Sequence, residues 1–121
     1  MADREELLAL AEKLEASGGG SNQLDLWIAM ALYPKAPSGG YAKATKRFTF
    51  SLDEAVVLVE DVAPEWQWLV DYDDLRSPSY CAQVKRQGED WEHSYRQTAA
   101  TPALALTAAL LRALAADDGG S

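Results

Sequence analysis

Two residues that can form a catalytic pair, Cys81 and His93, each occur once in the sequence. A cysteine beside a histidine becomes a nucleophile when the imidazole removes its proton. Strand alternation argues against this pairing, because successive side chains of a strand point to opposite faces of a sheet. His93 shares its parity with Trp91 and Tyr95 on the expected inner face, whereas Cys81 falls on the outer face. We therefore predict no catalytic residues and a protein that is not an enzyme.

The histidine, the cysteine and the acidic residues are the side chains that could bind a metal. One histidine and one cysteine are too few for the usual zinc site with nitrogen and sulfur ligands. The segment Asp71-Tyr72-Asp73-Asp74 has a D-x-D pattern that can hold a hard cation through carboxylate oxygens. Aspartate is also common in turns, where it accepts local backbone hydrogen bonds. We expect no metal, and no cofactor, since no glycine-rich phosphate loop follows a strand.

The charge distribution indicates a binding surface. Nineteen acidic residues against eleven basic ones give a formal charge of −8. Direct nucleic-acid binding is not expected, because a nonspecific binder needs an excess of Lys and Arg to displace phosphate counterions. An acidic surface would instead attract a basic partner, although the same charges also keep a protein soluble. The carboxylates assigned to this partner-binding surface are Asp71, Asp73, Asp74, Glu89, Asp90 and Glu92.

The aromatic residues suggest an alternative site for a small ligand. Tryptophan and tyrosine rings stack on nucleotide bases, although rings of this size more often fill a core. We expect most of these rings to be core, so a ligand would bind at their edges beside arginine side chains. The residues assigned to this alternative are Trp91, Arg96, Arg47 and Arg86.

Caps and periodic apolar residues predict four helices and four strands to position these side chains. The helices cover residues 3–16, 21–33, 51–62 and 101–116, including the capping residues Asp3, Ser21 (or Asn22), Ser51 and Thr101. The strands cover residues 46–50, 65–73, 79–86 and 90–97. The order α-α-β-α-β-β-β-α indicates an α+β fold. Its helices would pack on an antiparallel four-stranded sheet with one aromatic and one polar face.

The length of 121 residues predicts one domain over residues 1–121. Flexible segments are expected at 17–21, at 34–44 and in a tail at 117–121. No apolar run reaches the roughly 18 residues of a membrane span. The start Met-Ala-Asp-Arg-Glu-Glu lacks the basic and apolar character of a signal peptide. These features predict a cytoplasmic protein that does not enter a membrane.

Three stretches match, in order and spacing, those of one group of proteins. They are residues 24–25 with 28–32, residues 50–59 followed by Trp66, and residues 99–113. The chain resembles small uncharacterised proteins encoded by bacteriophages and prophages, particularly those of alphaproteobacteria. The resemblance implies the α/β/α sandwich described for some of these proteins, and a phage or prophage setting. It carries over no activity, because the matching residues are helix caps and core leucines.

The leading hypothesis is a non-enzymatic phage accessory protein that acts by binding in the host cytoplasm. Its partner would be a bacterial host protein, such as a component of antiviral defence that it inhibits through the acidic surface. The alternatives are a small-ligand binder, such as a sponge for a nucleotide signal, and a minor virion component. A homo-oligomer is also considered, since the first helix is available to pack peripherally or against a second subunit.

Overall fold

The computed structural model of the protein describes residues 3–33, 46–72 and 80–120. Its helices are α1 (Arg4–Ala16), α2 (Asn22–Leu32), α3 (Leu52–Val62) and α4 (Pro102–Gly120). Its strands are β1 (Gln67–Tyr72), β2 (Tyr80–Lys85) and β3 (Tyr95–Ala99), and a short 3₁₀ helix, Trp91–His93, precedes β3. The α+β class is confirmed, while the described residues contain three strands rather than the predicted four.

Each helix begins where its cap was predicted. Four capping side chains accept a hydrogen bond from the backbone amide three residues later, at 2.9 to 3.4 Å; they are Asp3, Ser21, Ser51 and Thr101. These bonds satisfy amide groups that a helix leaves unpaired in its first turn. The far end of α4 differs from the prediction, since the helix continues to Gly120 and includes most of the expected tail.

Helix α4 forms the centre of the fold. Every residue from Ala103 to Leu111 is buried, whichever side of the helix it occupies. A helix that is apolar all round must be enclosed by other elements, and α4 contacts α1, α3 and all three strands. Its many alanines have small side chains, so neighbouring backbones can approach it closely. The leucines between them supply most of the core volume.

The sheet is antiparallel, with the strand order β1-β2-β3. One face packs on α4 and includes the buried side chains of Ala82, Val84 and Ala99. The opposite face carries polar side chains, of which Gln67 and Arg96 are exposed. Polar side chains thus occupy one face as predicted. Among the described helices, α4 packs against all three strands and α1 against β3, whereas α2 and α3 pack away from the sheet. The α/β/α layering that the resemblance implies stays a prediction.

The predicted strand at 46–50 is wrong. These residues form a turn, in which the carbonyl of Arg47 accepts hydrogen bonds from the amides three and four residues later, at 3.1 and 2.9 Å. Instead of pairing with a neighbouring strand, this turn is hydrogen-bonded to the buried carboxylate of Asp25 in α2. Its Oδ1 accepts hydrogen bonds from the backbone amide and the hydroxyl of Thr49, at 2.8 and 2.7 Å. A local turn with a side-chain acceptor thus satisfies polar groups that a strand would have paired with a neighbour.

The two phenylalanines of this turn do not share a face, contrary to the alternating pattern. Phe48 is buried in the core, whereas Phe50 is 43% exposed. The ring of Phe50 lies against Gly20, where a Cβ atom would come within 2.5 Å of the ring carbon Cδ1. Glycine is therefore required at position 20 to allow this close approach.

The predicted strand at 90–97 is correct only in its second half. β3 begins at Tyr95, because the preceding residues turn through the 3₁₀ helix, in which the amide of Ser94 donates to the carbonyl of Trp91 at 3.1 Å. Strand parity consequently does not apply to Trp91 or His93. The inference that His93 faces away from Cys81 loses its basis.

The remaining sequence predictions concern connections and the membrane. Residues 17–21 connect α1 to α2 as expected. The predicted loop at 34–44 lies outside the described residues. Within the described ranges, no helix combines the length and apolar character needed to cross a bilayer.

Candidate functional site

The connection between β2 and β3 is held in a defined conformation by its own polar groups. Gly88 adopts a φ of 89°, a value that favours glycine, and the amide of Glu89 donates to the carbonyl of Arg86 at 3.2 Å. The ammonium of Lys85 donates to the carbonyl of Glu89 at 2.7 Å. The turn is thus closed both by the backbone and by a side chain from the end of β2.

Lys85 also positions an aromatic ring. Its Nζ atom lies 5.0 Å from the centroid of the Trp91 ring, and only 7% of the residue is exposed. A cation over an indole face is attracted to the ring, and the attraction strengthens when the cation is shielded from water. Trp91 itself remains 41% exposed. Lys85 therefore supports the indole on one side while a large part of the ring surface stays available to a partner.

Three carboxylates surround this tryptophan in sequence. Glu89, Asp90 and Glu92 are all exposed. Asp90 precedes the 3₁₀ helix but makes no side-chain capping hydrogen bond there. Together with Trp91 these residues form what we call the aromatic–acidic patch, defined as Glu89, Asp90, Trp91 and Glu92. The patch combines an apolar anchor with negative charges around it.

Asp71, which was also assigned to the acidic surface, does not join this patch. Asp71 is exposed near the far end of β1, where it lies opposite Cys81 in the strand register. The patch follows the opposite end of β2, where Lys85 pairs with Gln67. Four residues along a strand correspond to about 13 Å. Asp73 and Asp74 lie outside the described residues.

The arginines of the alternative ligand site contact three different groups. The guanidinium carbon of Arg47 lies 4.5 Å from the ring centroid of Phe50, and that of Arg86 lies 5.9 Å from the ring of Trp66. The Nε atom of Arg96 donates to the Sγ atom of Cys81 at 2.8 Å. These contacts involve three different residues, whereas a nucleotide phosphate is bound best by arginines that converge on one point.

Cys81 lies on the polar face of the sheet and is buried. Its sulfur accepts the hydrogen bond from Arg96, and the backbone of His93 belongs to the 3₁₀ helix beyond the end of β2. No cluster of three or more His, Cys, Asp or Glu side chains suited to a metal is found among the described residues. The absence of catalysis stays a prediction.

Comparison of the chain with protein-family models, with curated proteins and with solved structures finds no match. A function for this protein must therefore be inferred from the geometry of the residues that the structure describes.

One exposed apolar region was missed by sequence reasoning. A cleft of about 260 Å³ between α1 and α2 is lined by Glu6, Ala9, Leu10, Lys13 and Trp27. The periodicity of α2 assigns Trp27 to the core, but it is 36% exposed, and Met30 one turn further on is 51% exposed. The buried stripe of α2 is already complete without Trp27, since Leu24, Ile28 and Leu32 recur at intervals of four residues. This regular interval of four residues could have indicated from the sequence that Trp27 lies outside the buried stripe of α2.

Proposed function

We propose that the protein acts by binding a basic partner protein through the aromatic–acidic patch. The observation that supports this function is the exposure of 41% of Trp91 while Lys85 holds the ring from one side. Tryptophan is enriched among the residues that contribute most to protein interfaces. A ring that is already positioned loses little conformational freedom on binding, so more of its burial energy contributes to affinity.

The charge of the patch favours a basic partner over an acidic or neutral one. Glu89, Asp90 and Glu92 are exposed neighbours of Trp91 in the sequence, whereas Lys85 is buried with its Nζ atom 5.0 Å from the Trp91 ring centroid. Opposite charges on two proteins accelerate their encounter and disfavour the wrong partners. The formal charge of −8 on the whole chain adds to this attraction over longer distances.

The resemblance to phage proteins supports a bacterial host protein as the partner. A basic nucleic-acid-binding groove is the kind of surface that an acidic patch with an aromatic anchor would fill. Occupation of such a groove would inhibit the host protein, and a component of antiviral defence is one such target. In this proposal the protein performs no chemistry and acts in the host cytoplasm.

A second candidate function is binding of a nucleotide signal, which the exposed indole of Trp91 favours because bases stack on aromatic rings. The positions of the arginines favour it less, since Arg47, Arg86 and Arg96 contact Phe50, Trp66 and Cys81 respectively. The two functions predict different responses. A nucleotide binder gains thermal stability with nucleotide alone, whereas a protein binder does not.

The test is quantitative capture of a host protein from bacterial lysate by the immobilised protein and its variants. Two variants alter the patch. The first is Trp91→Ala, and the second combines Glu89→Gln, Asp90→Asn and Glu92→Gln. We expect each variant to reduce capture about tenfold or more. A matched control neutralises three exposed carboxylates elsewhere, Glu5→Gln with Asp53→Asn and Glu60→Gln, and should capture normally. Capture that survives both patch variants would refute the proposal, and a rise in Tm with a panel of nucleotides would favour the second candidate.

A further inference from the structure

The cleft between α1 and α2 has the character of an interface. Trp27 contributes an exposed indole to it, and Ala9 lies in the cleft with its small side chain exposed. The ammonium of Lys13 lies 4.4 Å from the centroid of the Trp27 ring, a distance at which the cation is attracted to the indole face. Exposed tryptophan beside small apolar side chains is typical of a surface that a partner covers.

The charges in this cleft are arranged symmetrically. Glu6 and Lys13 both line it and are exposed, and they are seven residues apart on α1. At the helical rise this spacing is about 10 Å, or two turns, so both side chains lie on one side of the helix. Ala9 lies between them. The order along the helix is therefore a negative charge, a small residue and a positive charge.

We infer that this cleft binds a second copy of the same chain, with the two α1 helices antiparallel about a two-fold axis near Ala9. In that arrangement Glu6 of each copy faces Lys13 of the other, so one contact is made twice. A surface that complements itself under a two-fold rotation is what a symmetric dimer requires. The small side chain of Ala9 at the axis lets the two helices approach closely.

The mixed charge of the cleft argues for this occupant. A purely basic partner would be repelled by Lys13, and a purely acidic one by Glu6. A second copy in antiparallel orientation pairs both charges at once and covers both Trp27 rings. The dimer would present two aromatic–acidic patches, a consequence that depends on the proposed function, whereas the dimer itself does not. Two patches on one particle would strengthen attachment to a partner with repeated sites.

Sedimentation velocity over a concentration series tests the inference on the purified full chain, with no partner present. The wild type is expected to approach twice the 13.2 kDa mass of the monomer as concentration rises. Glu6→Lys and Lys13→Glu should each be monomeric, because each places like charges opposite each other. The double variant Glu6→Lys with Lys13→Glu restores both pairs and should dimerise again.

Two further variants separate dimerisation from folding. Ala9→Glu places a bulky charge at the axis of both copies and should also give a monomer, with an unchanged circular dichroism spectrum. Asp53→Lys is the matched control, since it reverses an exposed carboxylate in the first turn of another helix, α3, and should remain dimeric. A wild type that is monomeric at all concentrations, or a dimer that tolerates Lys13→Glu and Ala9→Glu, would overturn the inference.

Discussion

The Oδ1 atom of Asp25 accepts hydrogen bonds from both the backbone amide and the hydroxyl of Thr49, at 2.8 and 2.7 Å. Both residues are buried. The hydroxyl of Thr49 also accepts a hydrogen bond from the amide of Ser21 at 2.9 Å, so the start of α2 and the turn at 46–50 are joined by one network. The network connects segments that are more than twenty residues apart in the chain.

Removal of the Asp25 carboxylate should destabilise the fold strongly. Asp25→Ala leaves the buried amide of Thr49 without its acceptor, which costs about 1–3 kcal/mol, whereas the hydroxyl of Thr49 can still donate to the carbonyl of Ser21 at 3.2 Å. Asp25→Asn should cost less, because both bonds are made to the same oxygen and an amide oxygen can replace it. Urea denaturation would measure both values. Equal losses for Ala and Asn would contradict the role assigned to this oxygen.

A two-pronged ion pair between Arg112 of α4 and Glu15 of α1 should contribute about 1 kcal/mol to stability. The Nε and Nη2 atoms of Arg112 donate to the two carboxylate oxygens at 2.6 and 2.7 Å. The hydrogen bond to Glu15 raises the pKa of Arg112 above its ordinary value, so the arginine stays charged throughout the accessible pH range. A double-mutant cycle with Glu15→Gln and Arg112→Met would measure the coupling, because each single change removes the ion pair. A coupling energy near zero would show that the pair contributes nothing.

Truncation of a leucine in α4 should be among the most destabilising single changes. Leu104 and Leu110 are fully buried, and replacing a buried leucine by alanine costs about 2–5 kcal/mol through lost contacts and the cavity that remains. Met30→Ala is the comparison variant, because Met30 is 51% exposed and should lose little. Thermal unfolding would rank the three variants. Wild-type melting of Leu110→Ala would contradict the central position of α4.

The free energy of unfolding should fall as the pH rises above 10.0, the ordinary pKa of tyrosine. Above this pH Tyr33 ionises more readily in the unfolded chain than in the folded protein. Burial raises the pKa of Tyr33, and its hydrogen bond to Asp61, at 2.7 Å, raises it further. Because the folded pKa exceeds the unfolded one, this contribution is complete below the unfolded pKa and is lost at higher pH. The difference in tyrosinate absorbance between the wild type and Tyr33→Phe, measured over a pH titration, would give the raised pKa of Tyr33. Urea denaturation of both proteins above pH 10.0 would give the loss of stability. Asp61→Asn should lower the pKa of Tyr33 only in part, since burial remains.

The parts of the fold that sequence predicted correctly depend on local signals. Ser51 and Thr101 cap their helices through residues three positions away, and the apolar length of α4 makes it recognisable without knowledge of its neighbours. Of the two failures, at 46–50 and 90–94, the first depends on a distant group, whereas the second reflects a local 3₁₀ helix. Alternation at 46–50 resembles a strand because the pattern contains no information about Asp25, which is more than twenty residues away.

The candidate site was predicted only as separate parts. Glu89, Asp90 and Glu92 were assigned to an acidic surface, and Trp91 to an alternative ligand site. Their combination depends on the contacts of Lys85 with the carbonyl of Glu89 and the ring of Trp91, which close the turn. A sequence pattern does not reveal such contacts, because a lysine at the end of a strand is usually expected to point into solvent.

The central position of α4 also determines when the protein can fold during synthesis. α1, α3 and the three strands all precede α4 in the chain, yet each of them packs against it. Until α4 has been synthesised, these elements lack the helix against which each of them packs, and contacts between distant segments such as α1 and α4 form slowly. Apolar surface is therefore exposed on the nascent chain until α4 emerges, and such surface promotes aggregation.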